Sequence, residues 1–358
     1  MVATPRKRAT IKDVAAACGV STQTVSRVIN HHPNVAPATR HRVQETIAAL
    51  NYTPSALARG LQASRSNTIG VLLGGVQYFG PAQTLVGIVD ECSAQRLTVV
   101  LAELPELGAT DLESAIRSLI EHRVDGLVMS VPEVGDVIER IADVVADSPV
   151  PIVFVRAVYP EGHSSVLVDN AEAIHRVVDH LVDLGRTRIG HISGPAGWHE
   201  AEARAGAWRE RVTSHGLAAP ACHLEVGDWA CESGAAAMDA LLDRAPDLDA
   251  VVVANDRMAF GAMYVLGRRG RRVPEDVAVT GFDDVPEAAW NTTSLTSVAQ
   301  PLQAVGHSAV RALLSHRDDP GRAPSVLSIR AKLVVRESTA GVAHATWRPP
   351  GDRPLLTG

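Results

Sequence analysis

The sequence is poor in the features that mark most other protein classes. Its 358 residues contain only four cysteines, Cys18, Cys92, Cys222 and Cys231. None forms a C-x-x-C pair, and no His/Cys cluster has metal-ligand spacing. Zinc frameworks and disulfide scaffolds are therefore excluded, and reduced thiols in a cytoplasm are expected. The phosphate-cradling strings G-x-x-x-x-G-K-[ST] and G-x-G-x-x-G are missing, as is the nucleophile elbow G-x-S-x-G. His199-Glu200 opens like the H-E-x-x-H of zinc proteases, but position 203 is Ala. The scattered His and Asp residues form no readable triad, so no enzyme chemistry, cofactor or metal is expected. No apolar run approaches the length of a membrane span; Ala250–Ala254 is strand-length. The basic N-terminus is followed by no apolar stretch, so no export signal is expected. Together these absences predict a soluble cytoplasmic protein without enzymatic activity.

The charge that is present is unevenly spread. From Met1 to Ser66 nine basic residues stand against two acidic ones, a net +7, whereas the whole chain carries −6. A basic end on an acidic body points to a polyanionic partner at that end only. A solvated basic tail would explain Arg6-Lys7-Arg8 alone. The remaining positive charge, however, runs through patterned helices.

Three short helices are predicted in the first fifty residues. Ile11–Cys18 places Ile11, Val14 and Ala15 at helical spacing, and Gly19-Val20 makes a turn. Ser21 is a good N-cap for a second helix, Thr22–Asn30. Pro37 opens a third, running to about Leu50, with Val43, Ile47 and Leu50 as its inner face. Asn51-Tyr52-Thr53-Pro54 breaks it. Ser55–Leu61 is a short helix candidate, and Gln62–Asn67 is a polar linker. From Thr68 the texture changes. Strand-like runs at Ile69–Leu73, Thr98–Leu101, Gly126–Met129 and Ile152–Val155 alternate with helices near Ala82–Gln95, Asp111–His122 and Val137–Ala146. A second set begins with the helix Ala171–Leu184 and has strands at Ile189–Ile192, Ala250–Ala254 and Val277–Val279. Continuous apolar strands between helices indicate parallel sheets buried on both faces. Two such sets imply two lobes with a cleft at the carboxyl ends of their strands. The tail Gly341–Gly358 is rich in Pro and Gly, lacks a heptad pattern, and is expected to be disordered.

The first two helices have the layout of a helix-turn-helix, with a tight Gly turn before an exposed second helix. Thr22, Gln23, Ser26 and Arg27 lie on its outer face, and Gln and Arg suit adenine and guanine edges in the major groove. Periodicity alone leaves an ordinary three-helix unit with a polar face equally acceptable. The strings are more specific. D-V-A-x-x-x-G-V-S-x-x-T-V-S-R-V-I-N, then N-Y-x-P-S-A-L-A-R-G-L, closely resembles the LacI/GalR repressor family. The likeness continues through Val124-Asp125-Gly126-Leu127, Gly194-Pro195, Ala254-Asn255-Asp256-x-Met258-Ala259-x-Gly261 and Gly281-Phe282-Asp283-Asp284, to about Ser338.

The resemblance implies an all-α helix-turn-helix headpiece plus hinge helix, followed by an α/β two-lobed effector domain similar to periplasmic binding proteins. The expected boundaries are 1–54 for the headpiece, 55–67 for hinge helix and linker, 68–340 for the effector-binding and dimerisation domain, and 341–358 for the tail. The implied molecule is a homodimer on a pseudo-palindromic double-stranded operator, with no membrane partner. Its implied DNA-facing residues are Thr22, Gln23, Ser26, Arg27, Asn30, Tyr52, Ser55, Ala58 and Leu61. Leu61 would wedge into the central minor-groove step, Ala58 would let the hinge approach the groove, and Tyr52 and Pro54 would set the hinge entry. Ala36 departs from the Ser or Thr that caps the third helix in many relatives. Without leucine heptads in the tail, a dimer rather than a tail-driven tetramer is expected.

For the cleft, a sugar needs an aromatic face for its apolar side and forked polar groups for its hydroxyls. Gly227-Asp228-Trp229 resembles the family's sugar-stacking tryptophan motif. The implied effector residues are Tyr78, Pro81, Trp198, Arg204, Trp229, Asn255, Asp283 and Gln300. Trp208 is expected in the core, and Asp256 and Asp284 as structural neighbours. Asn255 and Asp283 also read as a helix cap and a turn former. Arg156 replaces an acidic residue of the lactose repressor, and either a ligand anion or an internal ion pair would suit it. A sugar is the expected effector; a sugar phosphate or a nucleobase acting as co-repressor is the alternative, as is an activator role at some promoters. If Arg27 makes a bidentate base contact, Arg27→Ala weakens operator binding by about 1–3 kcal/mol. A binding assay on the natural operator at fixed salt reads this, and unchanged affinity and sequence preference rule the contact out.

Overall fold

The structure is a computed structural model that describes residues 9–29, 32–52, 65–104, 112–131, 144–156 and 162–340. The predicted hinge helix with Ser55, Ala58 and Leu61, Asn30, most of the Val137–Ala146 helix and the tail from Gly341 lie outside the described residues. The chain divides into two compact units, Met1–Asn67 and Thr68–Gly358.

The described residues of the small unit form three helices on one apolar cluster. Helix α1 (Ile11–Cys18) starts in a capping box. The Thr10 N–H donates to Asp13 Oδ2 at 2.7 Å, and the Asp13 N–H donates to Thr10 Oγ1 at 3.3 Å. It ends at Gly19, whose φ of 64° closes the turn in the left-handed region. Helix α2 (Thr22–Ile29) is capped by Ser21, whose Oγ accepts from the Thr24 N–H at 3.1 Å. Helix α3 (Pro37–Ala49) has no side-chain cap at Ala36 and relies on Pro37 in its first turn. Val14, Ala15, Cys18, Val25, Val28 and Val43 form the core.

One expectation is corrected here. Leu50 is 39% exposed rather than on the inner face of α3. Tyr52, expected among the DNA-facing residues, is 9% exposed and packs on this core. The reason is local. Helix α3 stops at Ala49, Asn51 adopts a φ of 47°, and the Tyr52 N–H donates back to Ile47 O at 3.0 Å. That reversal swings Tyr52 inward and leaves Leu50 outside.

The large unit contains two parallel sheets. The first joins β1 (Thr68–Gly74), β2 (Thr98–Leu104), β3 (Leu127–Ser130), β4 (Ile152–Val155), β5 (Ser164–Val168) and β11 (Val326–Ile329) in the order β11-β5-β4-β3-β1-β2. Helices α4 (Phe79–Ala94), α5 (Leu112–Glu121) and α10 (Leu302–Asp318) pack on it. The second sheet has β6 (Ile189–Ser193), β7 (Leu224–Val226), β8 (Ala250–Val253) and β9 (Ala278–Thr280) in the order β7-β6-β8-β9. Its helices are α6 (Asn170–Asp183), α7 (His199–Ser214), α8 (Cys231–Arg244) and α9 (Asp256–Arg268). A short antiparallel pair, β10 (Ser297–Ala299) with β12 (Lys332–Val334), lies beside them. Strands β1, β3, β4, β6, β8 and β9 are buried almost throughout, the mark of a sheet covered on both faces.

The chain does not stay in its second lobe. After β10 it returns to the first lobe, where α10 packs along α4 and β11 adds an edge strand to β5. The order of elements along the chain does not mark this crossing. Strands β5, β7 and β10–β12 were also not anticipated, since they are three to five residues long and β11 is largely exposed. Trp208 is fully buried, stacked on His191 at 5.4 Å between ring centroids. Burial pushes the His191 imidazole down to about 4. Thr10→Ala removes one half of the α1 capping box and should cost the headpiece about 0.5–2 kcal/mol. Thermal melting of the isolated α1–α3 segment against the same segment carrying the substitution checks it.

Candidate functional site

In the small unit Val25 and Val28 bury one face of α2. Thr22, Gln23 and Arg27 are exposed on the other, and Ser26 is half-buried. Gly19 and the Ser21 cap fix where α2 begins, so the four polar side chains occupy its first turn and a half on one accessible surface. Such a helix N-terminus, with free backbone N–H groups and donors of this kind, suits a phosphate backbone and base edges together.

In the large unit a cleft of about 500 Å³, open mouth included, lies between the two lobes. Seven of the eight expected effector residues line it: Tyr78, Trp198, Arg204, Trp229, Asn255, Asp283 and Gln300. Pro81 does not; it is buried in the first turn of α4, where the three residues before it, Tyr78, Phe79 and Gly80, face the cleft. Three aromatic rings form one wall. Tyr78 meets Trp198 edge-on at 5.6 Å, and Trp198 meets Trp229 at 5.7 Å. Trp229 can lie this deep because residue 194 is glycine, where a Cβ would sit 2.1 Å from the indole. Its backbone is also held. Trp229 adopts a φ of 76°, and Asn255 Nδ2 donates to its carbonyl at 3.0 Å.

Asn255 takes the cap role that its position suggested. Its Oδ1 caps α9 by accepting from the Met258 N–H at 2.9 Å, and its amide also borders the cleft. Arg204, 4% exposed, rises from α7. Its Nε donates to Asn170 Oδ1 at 2.8 Å and its Nη1 to Ala254 O at 2.6 Å, while its Cζ stacks 3.8 Å from the centroid of Phe282. Burial pulls its pKa down, and the charges of Glu200 and Asp283 oppose that pull. Asp283 has a φ of 123° and accepts from Gln300 Nε2 at 2.6 Å. Burial pushes its carboxyl up to about 6, against the opposing pull of Arg204.

Asp256 and Asp284 serve the framework. Asp256 is fully buried; its Oδ2 accepts from the Val285 N–H at 2.8 Å and its Oδ1 from Ser297 Oγ at 2.5 Å. These bonds tie the start of α9 to the segment that carries Asp283. Asp284 pairs with Arg336 at 2.7 Å. Arg156 makes the internal ion pair: its Nε donates to Glu200 Oε1 at 3.0 Å and its Nη2 to Oε2. Burial works to raise the Glu200 carboxyl, but the Arg156 charge prevails and holds it below its usual range. Sequence reasoning missed Glu200 in the cleft, as well as Phe79, Gly80, Arg257 and Leu302. Only for Glu200 is a sequence signal clear, because it precedes Arg204 by four residues on a helix and so shares its face. Among the described residues no cluster of His, Cys, Asp and Glu is suited to a metal ion.

The model for bacterial regulatory proteins of the lacI family matches residues 10–55, and that for a periplasmic binding protein-like domain matches residues 178–339. The HTH-type transcriptional regulator CelR of Thermobifida fusca is 35% identical, covering 93% of this chain and 99% of its own length. The chain belongs to the lacI family. As in other lacI-family members, a helix-turn-helix precedes a two-lobed domain with parallel sheets, and the protein is a DNA-binding transcriptional regulator. A lac repressor dimer bound to operator and the anti-inducer ONPF superposes with a TM-score of 0.85 at 30% identity, covering 93% of this chain and 99% of that one. A CelR–cellobiose complex superposes with a TM-score of 0.70 at 32% identity, covering 92% and 100%. No helix among the described residues is long and apolar enough to cross a membrane.

Asp256 gives this regulator a pH signature. Burial, reinforced by the Asp283 charge, pushes its carboxyl up to about 7 from an ordinary value of 3.8. The folded state therefore holds a proton that the unfolded chain releases. The resulting stability is present in full below the unfolded value and is lost as pH rises through about 7. Asp256→Asn removes this titration. Relative to the parent, the variant should gain at least about 1 kcal/mol between about pH 5 and about pH 8, measured by urea denaturation. A pH-independent difference between the two contradicts the assignment.

Proposed function

We propose that this lacI-family regulator is a cytoplasmic repressor, without enzymatic activity, that binds a pseudo-palindromic operator as a homodimer and releases it in response to a sugar. Thr22, Gln23, Ser26 and Arg27 read the operator from the exposed face of α2, and Asn30 extends that surface. Residues 55–67 serve as hinge, with Ser55, Ala58 and Leu61 at the minor groove, and residues 68–340 as the effector-binding and dimerisation domain. The observation that carries the effector reading is the composition of the cleft. A wall of Tyr78, Trp198 and Trp229 faces the polar groups of Arg204, Asn255, Asp283 and Gln300. Aromatic faces suit the apolar side of a pyranose, and forked acceptors and donors suit its vicinal hydroxyls. Two lacI-family structures, one with ONPF and one with cellobiose, support the same reading.

The sugar acts by preferring one relative orientation of the lobes, and it shifts that balance only by its differential affinity for the two states. Couplings of this kind are typically about 1–3 kcal/mol. Calorimetry with a panel of mono- and disaccharides, followed by operator release with the best binder, tests the proposal. Asp283→Ala should abolish the response, since a hydrogen bond to a charged group contributes on the order of 1.5–3 kcal/mol. Trp229→Ala should weaken the same ligand. In the parent, affinity should fall as pH drops through about 6, where Asp283 takes up a proton and loses acceptor capacity. A nucleobase as the best ligand, or a normal response from Asp283→Ala, defeats the sugar reading and leaves the DNA-binding assignment standing.

A further inference from the structure

The Arg156–Glu200 pair is the part of the cleft that a neutral sugar does not explain. Arg156 follows β4 in the first lobe, and Glu200 lies in the first turn of α7 in the second. Each side chain is only 13% exposed, so two charges are held out of water across the gap between lobes. A lone Glu200 carboxylate matches one edge of a guanidinium, and it takes that edge through Nε and Nη2. The other edge is left over. Arg156 Nη1 is buried and has no hydrogen-bond partner among the described residues. A buried charged donor without an acceptor costs free energy that an incoming oxygen recovers.

The balance of charge indicates what kind of oxygen. Among the described residues three arginines line the cleft, Arg156, Arg204 and Arg257, against two carboxylates, Glu200 and Asp283. With every group ionised this lining is cationic by one charge; Arg257 is exposed and supplies its positive charge at the mouth, while Arg156 and Arg204 act where lower dielectric strengthens each interaction. The backbone at Arg156 is itself committed to this arrangement. Its φ of 78° lies in the left-handed region, unfavourable for a residue with a Cβ, and its N–H donates to Val166 O at 2.9 Å. This places the guanidinium over Gly80, at the end of the cleft nearest the first turn of α4; a Cβ at Gly80 would stand 3.9 Å from it.

We propose that Arg156 is an effector-binding residue, positioned by Glu200, and that it takes an anionic oxygen, the carboxylate or phosphate of an acidic saccharide. This rests on the sugar reading and narrows it. The anion would meet the guanidinium that already spans the two lobes, so the charged group of the ligand acts directly on the contact between them.

Matched probes test it on the full-length protein: glucose against glucuronate and glucose 6-phosphate, and galactose against galacturonate and galactose 6-phosphate. Calorimetry should show an acid binding roughly tenfold or more tightly than its neutral partner. Carboxylate against phosphate separates the two sources of charge. The double variant R156Q/E200Q removes both charges without leaving a buried carboxylate unpaired, and its melting curve verifies folding. It should lose the preference for the acid. R156K keeps the charge but not the fork, and should retain part of it. No acid exceeding its neutral partner, whether both bind or neither does, overturns the inference, as does an unchanged preference in the double variant. If neutral sugars bind and the acids do not, the inference falls while the sugar reading stands. If adenine or hypoxanthine alone binds, the sugar reading falls with it.

Discussion

A buried guanidinium organises the cleft between the lobes. Arg204 is almost wholly removed from water, and such a charge is tolerated only when its donors and its flat faces are occupied. Each partner comes from a different part of the chain. Asn170 begins α6, Ala254 follows β8, and Phe282 follows β9. The neighbouring residues are the ones that line the cleft. Asn255 follows Ala254 and holds the Trp229 carbonyl; Asp283 follows Phe282 and is met by Gln300. The polar floor of the site is therefore assembled from strand ends that Arg204 gathers, as expected where helices and loops leave the carboxyl edge of a parallel sheet.

The acids around it divide by environment. Asp256 and Asp283 are both raised by burial, but they are used differently. Asp256 accepts a backbone N–H and a serine hydroxyl inside the protein, which makes it a brace between α9 and the loop before β10. Asp283 accepts from Gln300 at the cleft surface. Glu200 shifts the other way because Arg156 faces it directly. Three carboxyl groups in one region thus take three roles: brace, acceptor at the cleft surface and counter-ion. The distinction rests on what each touches, since all three are desolvated.

Much of this was legible in the sequence, and the limits have physical reasons. The capping residues Thr10 and Ser21, the turn at Gly19 and the apolar spacing of Val14, Val25 and Val28 are local signals, and they place the headpiece helices within a residue or two. The strands with continuous apolar runs were equally readable, since burial on both faces demands them. Tyr52 was not, because its inward turn depends on the left-handed backbone of Asn51. The return of α10 and β11 to the first lobe was not readable either, since nothing local marks a chain that crosses back. Pairings made over long separations stayed open for the same reason. Arg156 and Glu200 are 44 residues apart, and composition alone left an internal pair and a ligand contact equally suitable for Arg156.

On the proposed effector reading, that pair and the aromatic contact beside it bear on how a ligand shifts the lobes. The two lobes touch across the cleft through Tyr78 against Trp198 and through Arg156 against Glu200. The aromatic contact is apolar and tolerates small displacements. The ion pair is directional, and opening it would leave two charges half-desolvated, so it resists separation more steeply than the ring contact does. On the same proposed reading, a ligand that adds an acceptor to Arg156 acts on the ion pair, and one that inserts against Trp198 and Trp229 acts on the ring contact. Because a ligand shifts the orientation of the lobes only by its differential affinity, the groups it presents to these two contacts set both the direction and the size of the response.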